Sequence, residues 1–262
     1  MKIYILLGLL IMNACTQTVQ PPKANKKPHE MTMHGHDRVD DYYWMRLNDE
    51  QKSKEPYDEQ TQEVVDYINA ENDYLKKDLS HTIDLQGELY NEMIGRIKKD
   101  DQTVPYLQNG YYYYHRFEKG KEYAIHCRKK DNLNNNEEII LDENKLAEGH
   151  EYFSLGGKYV SPNNNWLAFA VDTLSRRFYD IYFKNLETGE VLDNPIQNTE
   201  GDIAWANDNK TIFYTTKNKT TLLSEKIYRH KIGTLPQDDI LVYHENDIEY
   251  YTGVYRSKSG EY

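Results

Sequence analysis

Residues 161–169, SPNNNWLAF, decide the fold class, because a related stretch returns 45 residues later as ANDNKTIFY at residues 206–214. Each stretch places Asn or Asp residues, which favour turns, before an apolar run with the composition of a β-strand. A repeat of this length with several short strands per unit is typical of a β-propeller blade. Looser copies, QNGYYYY at 108–114 and SKSGEY at 257–262, predict about three blades and the start of a fourth.

Other strands flank this repeat. In WLAFAVD (166–172), Leu167, Phe169 and Val171 alternate with smaller residues and should share one face. The runs GYYYYHRF and EYAIHCRK on either side of EKGK predict a β-hairpin. In its second strand Cys127 alternates with His126 and Arg128, so it should face a core as a small hydrophobic residue. A reactive thiol would need exposed, electropositive surroundings.

Residues 56–98 have a different, helical period. The first apolar series steps by four and seven residues and the second by four, which predicts two amphipathic helices. The two series are Val64, Ile68, Leu75, Leu79 and Leu85, Leu89, Met93, Ile97. Neither face carries a pattern of ligating side chains, so both faces are predicted to pack against another domain.

The first fifteen residues, MKIYILLGLLIMNAC, read as a signal peptide. Their apolar run is shorter than the roughly 20 residues that span a bilayer. The small residue before Cys15 predicts a bacterial lipoprotein, with Cys15 as the lipid attachment site and the cell envelope as the location. An ordinary secretory signal and a misassigned start codon remain alternatives. Residues 16–28, polar and proline-containing, are predicted to form a flexible tether.

The composition narrows the function. The chain has 262 residues, a formal net charge of -11 and only two cysteines. Its lysines and arginines are scattered, which argues against nucleic-acid binding, since that needs a concentrated basic face. Two cysteines do not form a disulfide framework. Aromatic residues reach 13%, with 24 tyrosines, and this favours a folded, sheet-rich protein.

The stretch HGHDRVDDYYWMR (34–46) concentrates chemically active side chains. His34 and His36 would point to different faces of a helix, and on a strand they would still need a third metal ligand from elsewhere. We therefore predict no metal site and no cofactor. The aromatic residues of the stretch should anchor the segment, and Arg38 and Asp40 should form ion pairs.

No catalytic residue is predicted in this chain. A hydrolase nucleophile would sit in a G-x-S-x-G turn between a strand and a helix. None of the serines has glycine at both positions two residues away; they are Ser53, Ser80, Ser154, Ser161, Ser175, Ser224, Ser257 and Ser259.

Several stretches together resemble the N-terminal part of the prolyl oligopeptidase family of serine peptidases, in particular its oligopeptidase B branch. They are HGHDRVDDYYWMR, YINAENDY, ELYNEMIGRIKKDDQTVPY, YYYYHRFEKGKEYAIHCRK, ILDENKLAEGH, VDTLSRRFYDIY and YRHKIGT. The resemblance covers about residues 28–262 and places HGHDRVDDYYWMR in a non-catalytic motif of the family's N-terminal segment.

The resemblance implies a mainly β fold: a partial seven-bladed β-propeller at 101–262, preceded by a helical segment at 29–100. In the family this segment packs on an α/β-hydrolase domain, absent from this chain, that carries the Ser-Asp-His triad. The propeller admits only short peptides, and oligopeptidase B cleaves after Lys or Arg. The chain would then be an inactive fragment of a peptidase for short basic peptides. The alternative is a non-catalytic envelope lipoprotein that binds partners through a partial propeller.

Overall fold

The computed structural model describes residues 20–261. They divide into two compact units, a helical unit that ends at Ile97 and a propeller unit that begins at Lys98. No helix in the described part of the chain is long and apolar enough to cross a membrane. The signal peptide and Cys15 lie outside the described residues.

The helical unit begins with a hairpin. Its elements are β1 (His29–Met33), β2 (His36–Asp40), α1 (Asp49–Ser53), α2 (Glu59–Asp78), a 3-10 turn (Leu79–Thr82) and α3 (Ile83–Gly95). The tight turn between β1 and β2 uses positive φ angles at His34 (54°) and Gly35 (76°). Because His34 lies in the turn and His36 starts β2, the two histidines do not share a strand face.

Residues 25–27, predicted as part of a flexible tether, are held against the rest of the helical unit. The Lys27 backbone N–H donates to the Asp41 carbonyl at 2.8 Å, and the Lys27 ammonium pairs with Glu63 on α2. The indole of Trp44 donates to the Asn25 carbonyl at 2.9 Å. These bonds hold residues 25–27 in place because they satisfy the Lys27 N–H and the Asn25 carbonyl. The polar composition of the segment does not reveal such partners.

The expected ion pairs of Arg38 and Asp40 are absent from the described residues. Asp40 instead accepts a hydrogen bond from the backbone N–H of Tyr42 at 2.8 Å. A carboxylate two residues before a free N–H forms this local bond without ordering a long side chain. The aromatic anchors are present, since His29 stacks on Tyr43 with ring centroids 4.0 Å apart.

The first sheet of the propeller unit forms blade 1. It contains β3 (Asp101–Gln102), β4 (Tyr106–Gln108), β5 (Tyr111–Phe117), β6 (Ile125–Lys130) and β7 (Glu137–Asp142), and α4 (Glu143–Ala147) follows it. Both β3 and β4 pair with β5, and the antiparallel order continues through β6 to β7. β3 and β4 are therefore the innermost strands of blade 1, and β7 is its outer edge.

The second sheet holds two blades joined by one strand. Its strands are β8 (Ser154–Val160), β9 (Trp166–Asp172), β10 (Tyr179–Asn185), β11 (Ile196–Trp205), β12 (Thr211–Lys217), β13 (Ser224–Lys231) and β14 (Ile240–His244), in that spatial order. β11 pairs with β10 through Ile196 and with β12 through Ile203, and Thr199 pairs with both neighbours. The first half of β11 is thus the outer strand of blade 2, and its second half is the inner strand of blade 3.

The core of the propeller unit lies between blades. The larger side chains of β9, Leu167, Phe169 and Val171, join a cluster with residues of blade 1, which confirms that they share a face. Ala168 and Ala170 point the other way, into a cluster with Trp205 and Ile212 of blade 3. β9 is therefore buried on both faces, as expected for a strand packed between two layers.

Strand β6 is buried on both faces as well. Cys127 is fully buried, as predicted, and burial raises the pKa of its thiol to about 12. His126 and Arg128, on the opposite face, are also buried. The buried Arg128 guanidinium donates to Glu138 at 2.7 Å and to the Asn164 carbonyl of blade 2 at 2.9 Å, and these bonds offset the cost of its burial.

The repeated Asn turns link neighbouring blades to one another. Asn109, Asn164 and Asn209 all have positive φ angles (48°, 66° and 61°) at corresponding turns of blades 1, 2 and 3. The Asn164 amide donates to the Asn109 carbonyl at 3.0 Å, and the Asn163 backbone N–H donates to Asn209 Oδ1 at 2.7 Å. Asparagine suits these positions because it tolerates left-handed backbone and supplies side-chain hydrogen bonds.

Candidate functional site

A cavity of about 1000 Å³ lies along the inner strands of the propeller unit. β4 contributes Tyr106 and Gln108, β8 contributes Lys158 and Tyr159, and β11 contributes Asp202. The chain segment 253–260 closes another side. A volume in this range accommodates a small molecule or a short peptide.

Glycines allow the inner strands of blades 2 and 3 to meet at the cavity wall. A Cβ added at Gly157 in β8 would lie 2.5 Å from the Gly201 carbonyl oxygen in β11 and would overlap the Tyr159 ring. Gly201 itself has a φ of +95°, a conformation that L side chains rarely adopt. The sequence SLGGKYV therefore places Lys158 and Tyr159 at the point where two blades approach most closely.

The cavity wall carries more positive than negative charge. Its charged lining residues are the cations Lys158, Arg256 and Lys258 and the carboxylate Asp202. Burial raises the pKa of Tyr159, and the nearby Asp202 carboxylate raises it further, so the phenol is neutral. Burial lowers the pKa of the Lys158 ammonium, an effect that Glu143 partly opposes.

Two histidine–carboxylate pairs lie in the propeller unit, and such a pair is two thirds of a catalytic triad. His230 Nδ1 is 2.7 Å from Asp239, whose other oxygen accepts from Tyr214 at 2.8 Å. His126 Nε2 is 2.5 Å from Glu143. Neither histidine has a serine hydroxyl among its hydrogen-bond partners in the described part of the chain. The four side chains are at most 13% exposed, so both pairs lie in the interior of the propeller unit.

The chemically active residues that the sequence pattern singled out, His34 and His36, lie in the turn after β1 and at the start of β2. No group of three or more His, Cys, Asp or Glu residues within 20–261 could hold a metal ion. The sequence reasoning missed the cavity, because Tyr106, Lys158 and Asp202 come from three distant strands. The available signal was the Gly-Gly pair at 156–157, which marks a close approach of backbones.

A family model described as "Prolyl oligopeptidase, N-terminal beta-propeller domain" matches residues 21–262. Dipeptidyl aminopeptidase BI of Pseudoxanthomonas mexicana is 38% identical over 274 residues, which cover 98% of this chain and 37% of that protein. The structure of oligopeptidase B from Leishmania major aligns with a TM-score of 0.79 and 31% identity, over 92% of this chain and 35% of that one.

A second structure gives the same picture. Oligopeptidase B from Trypanosoma brucei, in a closed form with covalently bound antipain, aligns with a TM-score of 0.78 and 30% identity. That alignment covers 92% of this chain and 35% of the other. This chain thus spans about a third of the length of these relatives. On the family match and these likenesses, the chain belongs to the prolyl oligopeptidase family and contains its N-terminal β-propeller domain.

Proposed function

We propose that this chain is the propeller-bearing part of a serine peptidase that hydrolyses short peptides. The observation that carries the proposal is the family match over residues 21–262 together with similarity to peptidases of which the chain covers about a third. A hydrolase domain beyond residue 262 would supply the Ser-Asp-His triad. The reaction would be acyl transfer, with attack by the serine, proton transfer by the histidine and stabilisation of the oxyanion by backbone N–H groups.

The propeller would act as a size filter in this enzyme. Its inner strands surround a cavity large enough for a short extended peptide but too small for a folded protein. Closure of the ring would leave the space beside these strands as the route to the active site. The propeller would thereby restrict substrates without contributing a catalytic residue.

For the substrate we propose cleavage after Lys or Arg, supported by the similarity to two oligopeptidase B structures. A second candidate is release of dipeptides from a free N-terminus, favoured by the 38% identity to a dipeptidyl aminopeptidase. For the location we propose the bacterial cell envelope, with lipid attached to Cys15. Loss of fatty-acid labelling in Cys15→Ser would support that anchor, and unchanged labelling would contradict it.

The first experiment is an immunoblot of the native product with antibodies against residues 60–260. A band of more than twice the mass of this chain is expected, because the chain covers 37% of its dipeptidyl aminopeptidase relative. That product should be labelled by a serine-directed fluorophosphonate, and antipain should block the labelling. A stable product of this chain's size, without labelling, would contradict the proposal.

A pair of fluorogenic substrates separates the two specificities. Both end in arginine at the cleaved bond, and only one has a blocked N-terminus. An oligopeptidase B-like enzyme should cleave both, whereas a dipeptidyl aminopeptidase should cleave only the free dipeptide. A third substrate with a neutral residue in place of arginine tests the basic preference, and equal rates on it would contradict that preference.

A further inference from the structure

We infer that the inner-strand cavity recognises the carboxylate of a short peptide through Lys158. This inference rests on the proposed function for its ligand class, since it takes a peptide as the molecule that enters the cavity. It adds a residue of the propeller that selects among peptides by their charge, beyond exclusion by size.

The first argument is the local sign of the charge. The chain as a whole has a formal net charge of -11. The cavity nevertheless has three cations and one carboxylate in its lining. The carboxylate, Asp202, lies beside the Tyr159 phenol and raises its pKa. A cavity with excess positive charge in an acidic protein is a site that attracts anions.

The second argument compares the partners of Lys158 with those of two other lysines of the propeller unit. Lys217 forms an ion pair with Glu200 at 2.7 Å, and Lys184 donates to the Ile140 carbonyl at 2.9 Å. Within residues 20–261, Lys158 has neither an ion pair nor a hydrogen bond to its ammonium. Glu143, the carboxylate that attracts Lys158, is bound to His126. Because no carboxylate or carbonyl of the described residues holds it, the Lys158 ammonium is available to an incoming anion.

The third argument concerns the rest of the cavity wall. Burial raises the pKa values of Tyr106 and Tyr159, so both phenols are neutral hydrogen-bond donors. Arg256 bonds to the Asn207 side chain and to the Gly260 carbonyl, which removes it as a free two-pronged partner for phosphate. Within residues 20–261, the ammonium groups of Lys158 on β8 and Lys258 on segment 253–260 have no such partners. Single point charges beside neutral phenols suit a singly charged carboxylate on a short chain.

The test measures peptide binding to the full chain by calorimetry, which needs no hydrolysis. The probes are acetyl-Ala-Ala-Ala with a free carboxylate and the same peptide as its C-terminal amide. The carboxylate form should bind at least about tenfold more tightly, as expected for a charge-assisted hydrogen bond. Lys158→Gln should abolish the difference, and Lys158→Arg should restore part of it. Lys119→Gln, at the exposed tip of the β5–β6 hairpin, removes the same charge elsewhere and should change nothing.

Three outcomes would overturn the inference. They are equal binding of the two peptides, a preference that survives Lys158→Gln, and displacement of the peptide by inorganic phosphate at the same concentration. The last would assign the cavity to anions in general. Loss of fold in Lys158→Gln would appear in its thermal transition, and Lys258→Gln then provides a second reading with a smaller expected loss. If the longer product lacks peptidase activity while the preference stands, only the proposed function fails.

Discussion

Leu167 in β9 and Leu85 in α3 both lie on apolar faces that the sequence pattern marks, yet Leu167 is fully buried and Leu85 is 53% exposed. The same contrast holds for the two units. The propeller unit buries large side chains from all three blades, whereas in the described part of the helical unit the buried residues are Val64 and Thr61. A periodic apolar face thus marks a surface suited to packing. It does not show whether residues of the same unit cover that surface.

The two units consequently depend on different interactions. The propeller unit is stabilised by tightly packed clusters between blades. Truncating any member of such a cluster lowers the free energy of unfolding. In the helical unit, hydrogen bonds at the helix N-termini stabilise the helices. Asp58 caps α2 by accepting from the Thr61 N–H at 2.7 Å, and Asn48 and Gln51 form a capping box on α1. Its exposed apolar face would gain stability from a partner surface.

The largest difference should come from one substitution made in both units. Leu167→Ala leaves a cavity between blades and should lower the free energy of unfolding by about 2–5 kcal/mol. Leu85→Ala removes an exposed side chain and should change it by less than about 0.5 kcal/mol. Urea titration of the full chain measures both. Similar losses at the two positions would show that α3 is covered in this chain.

Glycine-to-alanine substitutions should change the free energy of unfolding by a smaller amount, and with opposite sign in the two units. Gly157→Ala places a methyl group 2.5 Å from the Gly201 carbonyl oxygen and should destabilise the protein by about 1–3 kcal/mol. Gly87→Ala in α3 meets nothing within 4 Å and should stabilise by about 0.5–1 kcal/mol. Thermal unfolding of the two variants checks both signs. A gain for Gly157→Ala would disprove the close approach of β8 and β11.

The smallest effect concerns the cap of α2. The hydrogen bond from the Thr61 backbone N–H holds the pKa of Asp58 below its usual range. Its contribution is therefore fully present above the ordinary carboxyl pKa and is lost as pH falls through the lower folded value. Asp58→Asn keeps a capping oxygen but removes the charge, so it should have lower helicity than the natural chain at pH 7. The two should converge as the pH falls through the lowered folded pKa of Asp58. Circular dichroism at 222 nm follows this, and a constant difference across the titration would contradict a contribution from the charge of the Asp58 carboxylate.

Sequence patterns predicted the elements whose signal is local. The Asn turns, the face of β9 with Leu167 and the burial of Cys127 all follow from short-range periodicity and turn chemistry. The burial of His126 and Arg128 on the other side of their strand did not, because alternation assumes one solvated face and a blade has neighbours on both. The fixed position of Asn25 and Lys27 also escaped, since their partners lie on α2 and beside Trp44.

The cavity could not be found this way for a related reason. Tyr106, Lys158 and Asp202 come together only when three blades are arranged side by side, so no short window contains the site. The absence of a G-x-S-x-G turn was visible directly, because a nucleophile needs a particular local backbone. Features that depend on a short stretch of chain can be predicted from the sequence. A surface formed by residues of several blades can be identified only once the fold is known.

β11 has a consequence for how this family can vary in length. One strand serves as the outer edge of blade 2 and the inner edge of blade 3, with Thr199 paired on both sides. An insertion or deletion of one residue within Ile196–Trp205 would shift the register between its two halves and reverse the facing of side chains in one blade relative to the other. The exposed loop at 131–136 ends within a single blade and can absorb such changes. Evolutionary variation in length should therefore collect in loops such as 131–136 and avoid the strand that two blades share.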